Sequence, residues 1–224
     1  ECDLAYSVMD TPFKRDIIRE LCDSARKHGI KTDLYFSHPD WYDADFIPYG
    51  DHPGITEKVV DSPEKYGFNM WNLFTSRHFA MVQHPTERQT ERMMLRHREQ
   101  IRELCTNYGK IDMMCLDIHF GPQVWDYLKE TIYMARELQP DLMFRCRGIG
   151  NYGDYYTPEG YVPGDPSNTE MPWMVIYPLG KSFSYESSVE GHKGTEWLVH
   201  NLIDTCAKGG KCMVGIGTHG KGRF

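Results

Sequence analysis

Apolar positions along the chain follow two spacings, one typical of helices and one typical of buried strands. Ile17, Leu21 and Ala25 recur at a helical spacing and share one helix face. Short apolar runs of the strand type follow, for example at 31–37 and 111–117. Helical and strand-like segments then alternate along the sequence, which is the pattern of βα units around a parallel sheet. The alternation therefore predicts an α/β fold.

The pattern predicts about five strands and four long helices. We expect helices at about 11–28, 85–108, 124–139 and 195–208, and strands at 31–37, 111–117, 142–147, 172–177 and 211–217, with a short strand at 79–82. Thr11 is the predicted N-cap of the first helix, with Pro12 at its first position and Gly29 at its end. The stretch 148–172, rich in Gly, Tyr and Pro, is predicted to be a loop. The second helix should bury a stripe made of Met93, Met94, His97, Ile101 and Leu104.

At 224 residues the chain is long enough for one compact domain, and we expect a single domain over 1–224. The expected architecture is a (β/α)8-like TIM barrel, incomplete as given. A complete barrel takes about 250 residues, so this set of elements is short by roughly two or three βα units.

Composition narrows the possible partners. A net charge of −7 leaves no basic stripe to neutralise phosphates, which argues against nucleic acid. No apolar run approaches the roughly 18 residues that a membrane span needs, so no membrane partner is expected. The 7 cysteines contain no C-x-x-C pair and predict buried free thiols rather than disulfides or a zinc site. Aromatic residues at 13% suit a sugar-binding cleft and equally a large core.

Two carboxylates are the main candidates for chemistry. Asp117 ends a predicted buried strand, the place where α/β barrels hold their catalytic groups, although an isolated Asp there also suits a helix cap. Glu159 follows a Tyr-rich stretch that suits a carboxyl kept protonated, although Thr-Pro-Glu is also a common helix start. Arg147, at the end of the next predicted strand, would favour a charged Asp117. Glycoside hydrolysis uses one ionised and one protonated carboxyl group of this kind.

Six segments, in order along nearly the whole chain, resemble the α-L-fucosidases of glycoside hydrolase family 29. They are DTPFKRDI at 10–17, LYFS at 34–37 with WY at 41–42, TNYGKID at 106–112, ELQPD at 137–141, GDYYTPE at 153–159 and AKGG at 207–210. The resemblance implies a (β/α)8-like barrel that releases terminal α-L-fucose from fucosylated oligosaccharides or glycoconjugates with retention of configuration. It implies no cofactor, and it favours a secreted, periplasmic or lysosomal location.

The resemblance also implies roles for individual residues. Asp117 matches the nucleophile and Glu159 the acid/base, with carboxyl groups about 5–5.5 Å apart when substrate is bound. The predicted substrate-binding residues match further family positions or lie in the loops beside them: Tyr35, Trp41, His119, Arg147 and Phe183. Trp41 suits a sugar platform or packing within its loop, and His119 suits direct contact with the sugar or support from behind it.

The chain departs from the family pattern at four points, one of which is Ile118-His119-Phe120 in place of the family's Gly-rich continuation after the nucleophile. The family carries Trp at the position of Cys115, and Asn-Asp at the positions of Arg145 and Cys146. The family's upstream His-Trp-Gly and His-His-Asp-Gly-Phe motifs do not occur in this sequence. We therefore expect either a portion of a longer enzyme or a divergent relative.

Two alternatives stay open at this point. The first is a catalytically silent carbohydrate-binding barrel, which the departures motivate. The second is a metal-dependent barrel hydrolase that uses His38, Asp40, Asp117 and His119.

Overall fold

The structure is a computed structural model that describes residues 7–38, 40, 43, 45, 86–117, 124–164, 171–188 and 190–222. These residues form four α-helices and five strands, and each of the four long helices and five strands expected in the described ranges is present. The chain divides into two compact units, Glu1–Tyr152 and Gly153–Phe224. A single domain over 1–224 stays a prediction, and the predicted strand at 79–82 lies outside the described residues.

The first unit is a parallel sheet with helices between its strands. Its elements are α1 (Ile17–Lys27), β1 (Asp33–Ser37), α2 (Glu87–Asn107), β2 (Met113–Asp117), α3 (Trp125–Leu138) and β3 (Met143–Phe144). The strand order is β1-β2-β3, and both pairings are parallel. In the β1–β2 register Tyr35 lies opposite Cys115, and Ser37 lies opposite Asp117. The parallel α/β organisation predicted from the sequence is therefore confirmed.

The start of α1 differs from the prediction that placed its N-cap at Thr11. The Thr11 hydroxyl donates to the Val8 carbonyl and accepts from the Phe13 N–H, so it closes a short turn instead. Lys14 then has a φ of 45°, which no right-handed helix allows. The helix begins at Ile17, and the Asp16 side chain caps it by accepting from the Arg19 N–H at 3.0 Å. The predicted end of α1 is confirmed, because Gly29 adopts a φ of 68° just past the helix.

A capping box starts α2, formed by Thr86 and Gln89. Four residues of the predicted stripe are buried, and Leu104 is only partly buried. Cys105, four residues after Ile101 on the same helix face, takes the buried position instead. The complete buried face of the helix consists of Thr90, Met93, Met94, His97, Ile101 and Cys105.

The two faces of the three-stranded sheet have opposite character. One face is apolar and belongs to the main core with residues of α2 and α3; its members are Leu34, Phe36, Met114, Leu116 and Phe144. The other face is polar and carries Asp33, Tyr35, Cys115, Asp117 and Arg145. This division follows from the alternation of side chains along each strand. Of the candidate site residues, Tyr35 and Asp117 lie on this polar face.

The ladder of β3 is shorter than the predicted strand over 142–147. It contains Met143 and Phe144, and the Arg145 N–H makes one more bond, to the Met114 carbonyl at 3.1 Å. The backbone then turns, because the N–H of Gly150 donates to the Cys146 carbonyl at 3.0 Å. Gly150 has a φ of 51°, a conformation that other residues rarely adopt.

The second unit is built around β4 (Met174–Pro178), α4 (Thr195–Ala207) and β5 (Lys211–Gly215), with β4 and β5 parallel. The predicted loop over 148–172 is wrong in part. Tyr156 and Glu159 form parallel bridges with Trp173 and Ile176, respectively. Pro158 and Pro172 lack an N–H donor, which limits this pairing to isolated bridges.

The six described cysteines are free thiols, as predicted. Cys22, Cys105 and Cys115 are buried, whereas Cys206 is exposed. Among the helices of the described ranges, none is both long and apolar enough to cross a membrane.

Candidate active site

Two groups, one from β1 and one from the turn that follows β3, meet at the carboxylate of Asp117, which ends β2. Its Oδ1 accepts a hydrogen bond from Arg147 Nη1 at 3.1 Å, and its Oδ2 accepts one from the Tyr35 hydroxyl at 2.7 Å. The sequence singled out each of these residues separately. The structure brings them together.

Strand register explains why the three groups converge. Asp117 ends β2, and Tyr35 lies on β1 opposite Cys115, two residues before Asp117. Both side chains therefore project from the same face of the sheet. Arg147 follows β3 in the turn that begins at Cys146, and its side chain reaches back to the same carboxylate. The site lies at the carboxyl end of parallel strands, where α/β folds bind their ligands.

The carboxylate is partly shielded and has its charge compensated. The side chains of Asp117 and Arg147 are 16% and 25% exposed, respectively. A carboxylate that receives two donors in this setting is held in one orientation, because charge-assisted hydrogen bonds are short and strong. The remaining lone pairs of its oxygens can meet an incoming electrophile.

Tyr35 is held as a proton donor. Burial of the phenol, the hydrogen bond to Asp117 and the charge of that carboxylate together raise the pKa of Tyr35 above its ordinary value of 10. The residue as a whole is nevertheless 62% exposed, so part of its ring faces solvent. A protonated phenol with an accessible ring suits an active-site wall that also orients the nucleophile.

A second ion pair lies on the same sheet face, two residues below the first. Arg145 Nη2 contacts Asp33 Oδ2 at 3.2 Å, and the Arg145 side chain is only 6% exposed. Cys115 is fully buried beside this pair, and burial raises the pKa of its thiol to about 12, so the thiol is neutral. Sequence reasoning noted Arg145 and Cys115 only as departures from the family. Arg145 and Arg147 stand two residues apart in the strand predicted over 142–147, and this spacing was the signal that could have placed both at the site.

The loop that follows β1 is attached to α2 by buried polar contacts. His38 Nδ1 lies 2.9 Å from His97 Nε2, and both rings are buried. Asp43 receives two hydrogen bonds from Arg96, at 2.7 and 2.6 Å. Asp45 pairs with Arg96 at 2.6 Å and with a further arginine of the same helix, Arg92. The arginine partners of Asp43 and Asp45 lie about fifty residues further along the chain, so no local pattern predicts these ion pairs.

The metal-dependent alternative receives no support from the described residues. Within them, no group of three or more His, Cys, Asp and Glu side chains is arranged to hold a metal ion. His38, one of the predicted ligands, contacts a second histidine through its ring nitrogen. His119, another of them, lies outside the described residues.

The remaining predicted site residues belong to the second unit or lie outside the residues that the structure describes. Glu159 is half-buried and pairs with β4 opposite Ile176. Phe183 is 49% exposed, and its ring lies against Gly215 at the end of β5, where an added Cβ would stand 2.7 Å from Phe183 Cδ1. Trp41 lies outside the described residues. Asp117 and Glu159 belong to different compact units, and their carboxyl separation stays a prediction.

The family model described as alpha-L-fucosidase matches residues 3–224. The chain belongs to the α-L-fucosidase family. The resemblance found in the sequence is thereby confirmed over nearly the whole chain. A comparison with curated proteins returned no significant match.

Solved structures of fucosidases resemble this chain throughout its length. α-L-Fucosidase isoenzyme 1 from Paenibacillus thiaminolyticus is 27% identical, with a TM-score of 0.73 over 99% of this chain and 51% of its own. A family 29 α-L-fucosidase from Bacteroides thetaiotaomicron is 19% identical, with a TM-score of 0.69 over 98% of this chain and 48% of its own. The AlfC enzyme from Lactobacillus casei is 21% identical, with a TM-score of 0.64 over 95% of this chain and 61% of its own. The chain spans about half the length of the first of these relatives.

Proposed function

We propose that the protein is a retaining α-L-fucosidase and that this chain supplies the later βα units of a (β/α)8-like barrel. Family membership supports the activity. The parallel strands with helices between them support the barrel. The single observation that carries the proposal is the carboxylate of Asp117, which ends a parallel strand and receives donors from Tyr35 and Arg147.

In the first step a carboxylate oxygen of Asp117 attacks the anomeric carbon of the fucosyl group. The bond from that carbon to the leaving oxygen breaks, and Glu159 transfers its proton to this oxygen. The product is a covalent fucosyl–Asp117 ester and a free alcohol. Arg147 and Tyr35 hold the attacking carboxylate in one orientation, which reduces the entropy lost on reaching the transition state.

In the second step Glu159, now ionised, takes a proton from water as the water attacks the anomeric carbon. The ester bond to Asp117 breaks, and fucose leaves with its original configuration. Asp117 departs as a carboxylate, and the donors from Tyr35 and Arg147 stabilise its returning charge. The reaction needs no cofactor.

The proposed substrate is a fucosylated oligosaccharide or glycoconjugate. A variant of the AlfC fucosidase was solved in complex with Fuca(1,6)GlcNAc, a fucosylated disaccharide. We assign Tyr35, Arg147 and Phe183 to contact with the sugar, together with Trp41 and His119. Phe183 presents an aromatic ring of the kind that packs on the apolar side of a sugar.

The first experiment measures release of 4-nitrophenol from its α-L-fucoside by the whole natural protein. We expect turnover in the wild type and a fall of at least about 1,000-fold in kcat for Asp117→Ala, because the covalent route is removed. Asp126→Ala is the matched control, since Asp126 on α3 is 88% exposed and pairs only with a lysine of its own helix among the described residues. This control should retain full activity.

Two further measurements separate the proposed mechanism from its alternatives. Proton NMR of the first-formed sugar should show the α-anomer, and first-formed β-fucose would refute retention. Glu159→Ala should lose activity on poor leaving groups more than on 4-nitrophenol, because a good leaving group needs little acid assistance. A folded wild type that binds fucosylated glycans without turnover would identify a carbohydrate-binding protein instead.

A further inference from the structure

The side chain of Arg145 crosses the middle strand of the first sheet. Arg145 follows β3, and its N–H donates to the Met114 carbonyl, which places the residue beside Cys115 of β2. Its guanidinium contacts Asp33, which lies on β1 opposite Met113. Because β2 lies between β1 and β3, the Arg145–Asp33 pair spans two strand spacings, about 10 Å.

The residue beneath this crossing is small. Cys115 is fully buried, and it lies on β2 between Asp33 of β1 and Arg145, on the sheet face that all three side chains share. The Arg145 side chain therefore passes close to the Cys115 thiol. A larger side chain at this position would occupy the path of the guanidinium.

The crossing lies one side-chain layer below the candidate nucleophile. Asp33, Cys115 and Arg145 each precede by two residues a group of the site: Tyr35, Asp117 and Arg147, respectively. Residues two apart on a strand project from the same face. Each set contains one acid–arginine pair, with the acid on β1 in the lower set and on β2 in the upper set.

We propose that Arg145 is a positioning residue for the nucleophile and that Cys115 leaves the space in which it acts. The Arg145–Asp33 pair ties β3 to β1 directly below Asp117. It thereby fixes the separation between the strands that carry Tyr35 and Arg147, the two donors to the Asp117 carboxylate. The inference rests on the proposed function, since it concerns the geometry of that same site.

A blocking substitution tests the crossing without removing a charge. In the whole natural protein, Cys115→Leu should displace the Arg145 side chain and lower kcat for the 4-nitrophenyl fucoside by roughly 10- to 100-fold, because a displacement of about 1 Å in a catalytic group has an effect of this size. KM should change by less than about 3-fold, since this layer does not touch the sugar. Cys115→Ala keeps the path open and should keep the wild-type kcat.

Substitutions that remove the Arg145–Asp33 ion pair provide a second test. Arg145→Met should lose kcat to a similar extent, and Arg145→Lys should regain most of it, because a lysine ammonium can also pair with Asp33. Arg145→Met leaves Asp33, whose side chain is only 23% exposed, without its cation, and the variant is at risk of unfolding. Asp33→Asn/Arg145→Met removes both charges and keeps the test valid if the single variant does not fold.

A double-mutant cycle of Cys115→Leu and Arg145→Met decides between the two roles. Cys115→Leu/Arg145→Met should have the kcat of either single variant, since both changes abolish the same contact. Wild-type kcat per folded molecule in Cys115→Leu and in Asp33→Asn/Arg145→Met, with only a lower Tm, would assign a purely structural role and overturn the inference alone. A wild type without fucosidase turnover would overturn the proposed function and this inference together.

Discussion

Acid should weaken the folded state through His97, the buried histidine of α2. Burial of its ring, with a smaller contribution from Arg98, lowers the pKa of His97 from 6.5 to about 4. The unfolded chain therefore binds a proton more readily than the folded one between these values, and stability falls as the pH falls. The contribution of His97 is complete above pH 6.5 and is lost progressively towards pH 4. From these two pKa values, linkage gives a loss of about 2 kcal/mol between pH 7.5 and pH 5.

The contact with His38 gives this loss a structural reason. The two ring nitrogens lie 2.9 Å apart, so one of them must donate and the other accept. An added proton places a cation in a buried site, close to the arginine that follows His97 on the helix. Asp43 and Asp45, two acids of the loop after β1, are each paired with arginines of this helix.

Urea unfolding at pH 7.5 and pH 5 measures the effect. His97→Gln retains an amide that can pair with His38 but has no titratable group. Between pH 7.5 and pH 5 the variant should therefore lose about 2 kcal/mol less stability than the wild type loses. His200→Gln, an exposed histidine of α4, is the control and should keep the wild-type dependence on pH. Equal losses in the wild type and in His97→Gln would refute the reasoning.

Three further substitutions have expected outcomes. Gly210→Ala should destabilise the protein by about 1–3 kcal/mol, measured by urea unfolding, because its Cβ would stand 2.3 Å from the ring of Trp173. Arg96→Met should cost about 3–5 kcal/mol in the same assay, since it leaves two buried aspartates of the loop after β1 without their shared cation. Gly215→Ala should displace the ring of Phe183 and raise KM for the fucoside by roughly 3- to 10-fold, with little change in kcat.

Matched controls keep these outcomes interpretable. Gly164→Ala has open space around the new Cβ and should leave stability within about 0.5 kcal/mol of the wild type. Arg102→Met removes an exposed ion pair with Glu99 and should cost less than about 1 kcal/mol. An Arg96 variant as stable as the Arg102 variant would contradict a role for the buried pairs. A KM unchanged in Gly215→Ala would remove Phe183 from the sugar site.

The sequence was sufficient to predict the parts of the fold that depend on local patterns. The apolar run before Asp117 predicted a buried strand with a carboxylate at its end, and that carboxylate lies where expected. The spacing of Met93, Met94, His97 and Ile101 predicted the buried face of α2. Both signals are local periodicities, which need no knowledge of distant contacts.

The errors came from contacts that a local pattern does not contain. Thr11 and Pro12 have the composition of a helix start, but the Thr11 hydroxyl bonds within a turn and the positive φ of Lys14 prevents a helix. Glu159 was placed in a loop because of its Gly- and Pro-rich neighbours, whereas pairing with β4 orders the segment. The Arg145–Asp33 pair joins residues 112 positions apart, so no spacing in the sequence could have predicted it.

The attachment of the loop after β1 to α2 has a consequence for how the family can diversify. Asp45 and Arg92 lie on either side of a stretch of about forty residues, and their ion pair holds the two ends of that stretch together. Once such ends are fixed, each doubling of the length between them costs only about 0.6 kcal/mol in chain entropy. Insertions and deletions between residues 45 and 86 can therefore accumulate in relatives while the strand that carries Tyr35 keeps its place. The length of this stretch can thereby change without altering the hydrogen bond between Tyr35 and Asp117.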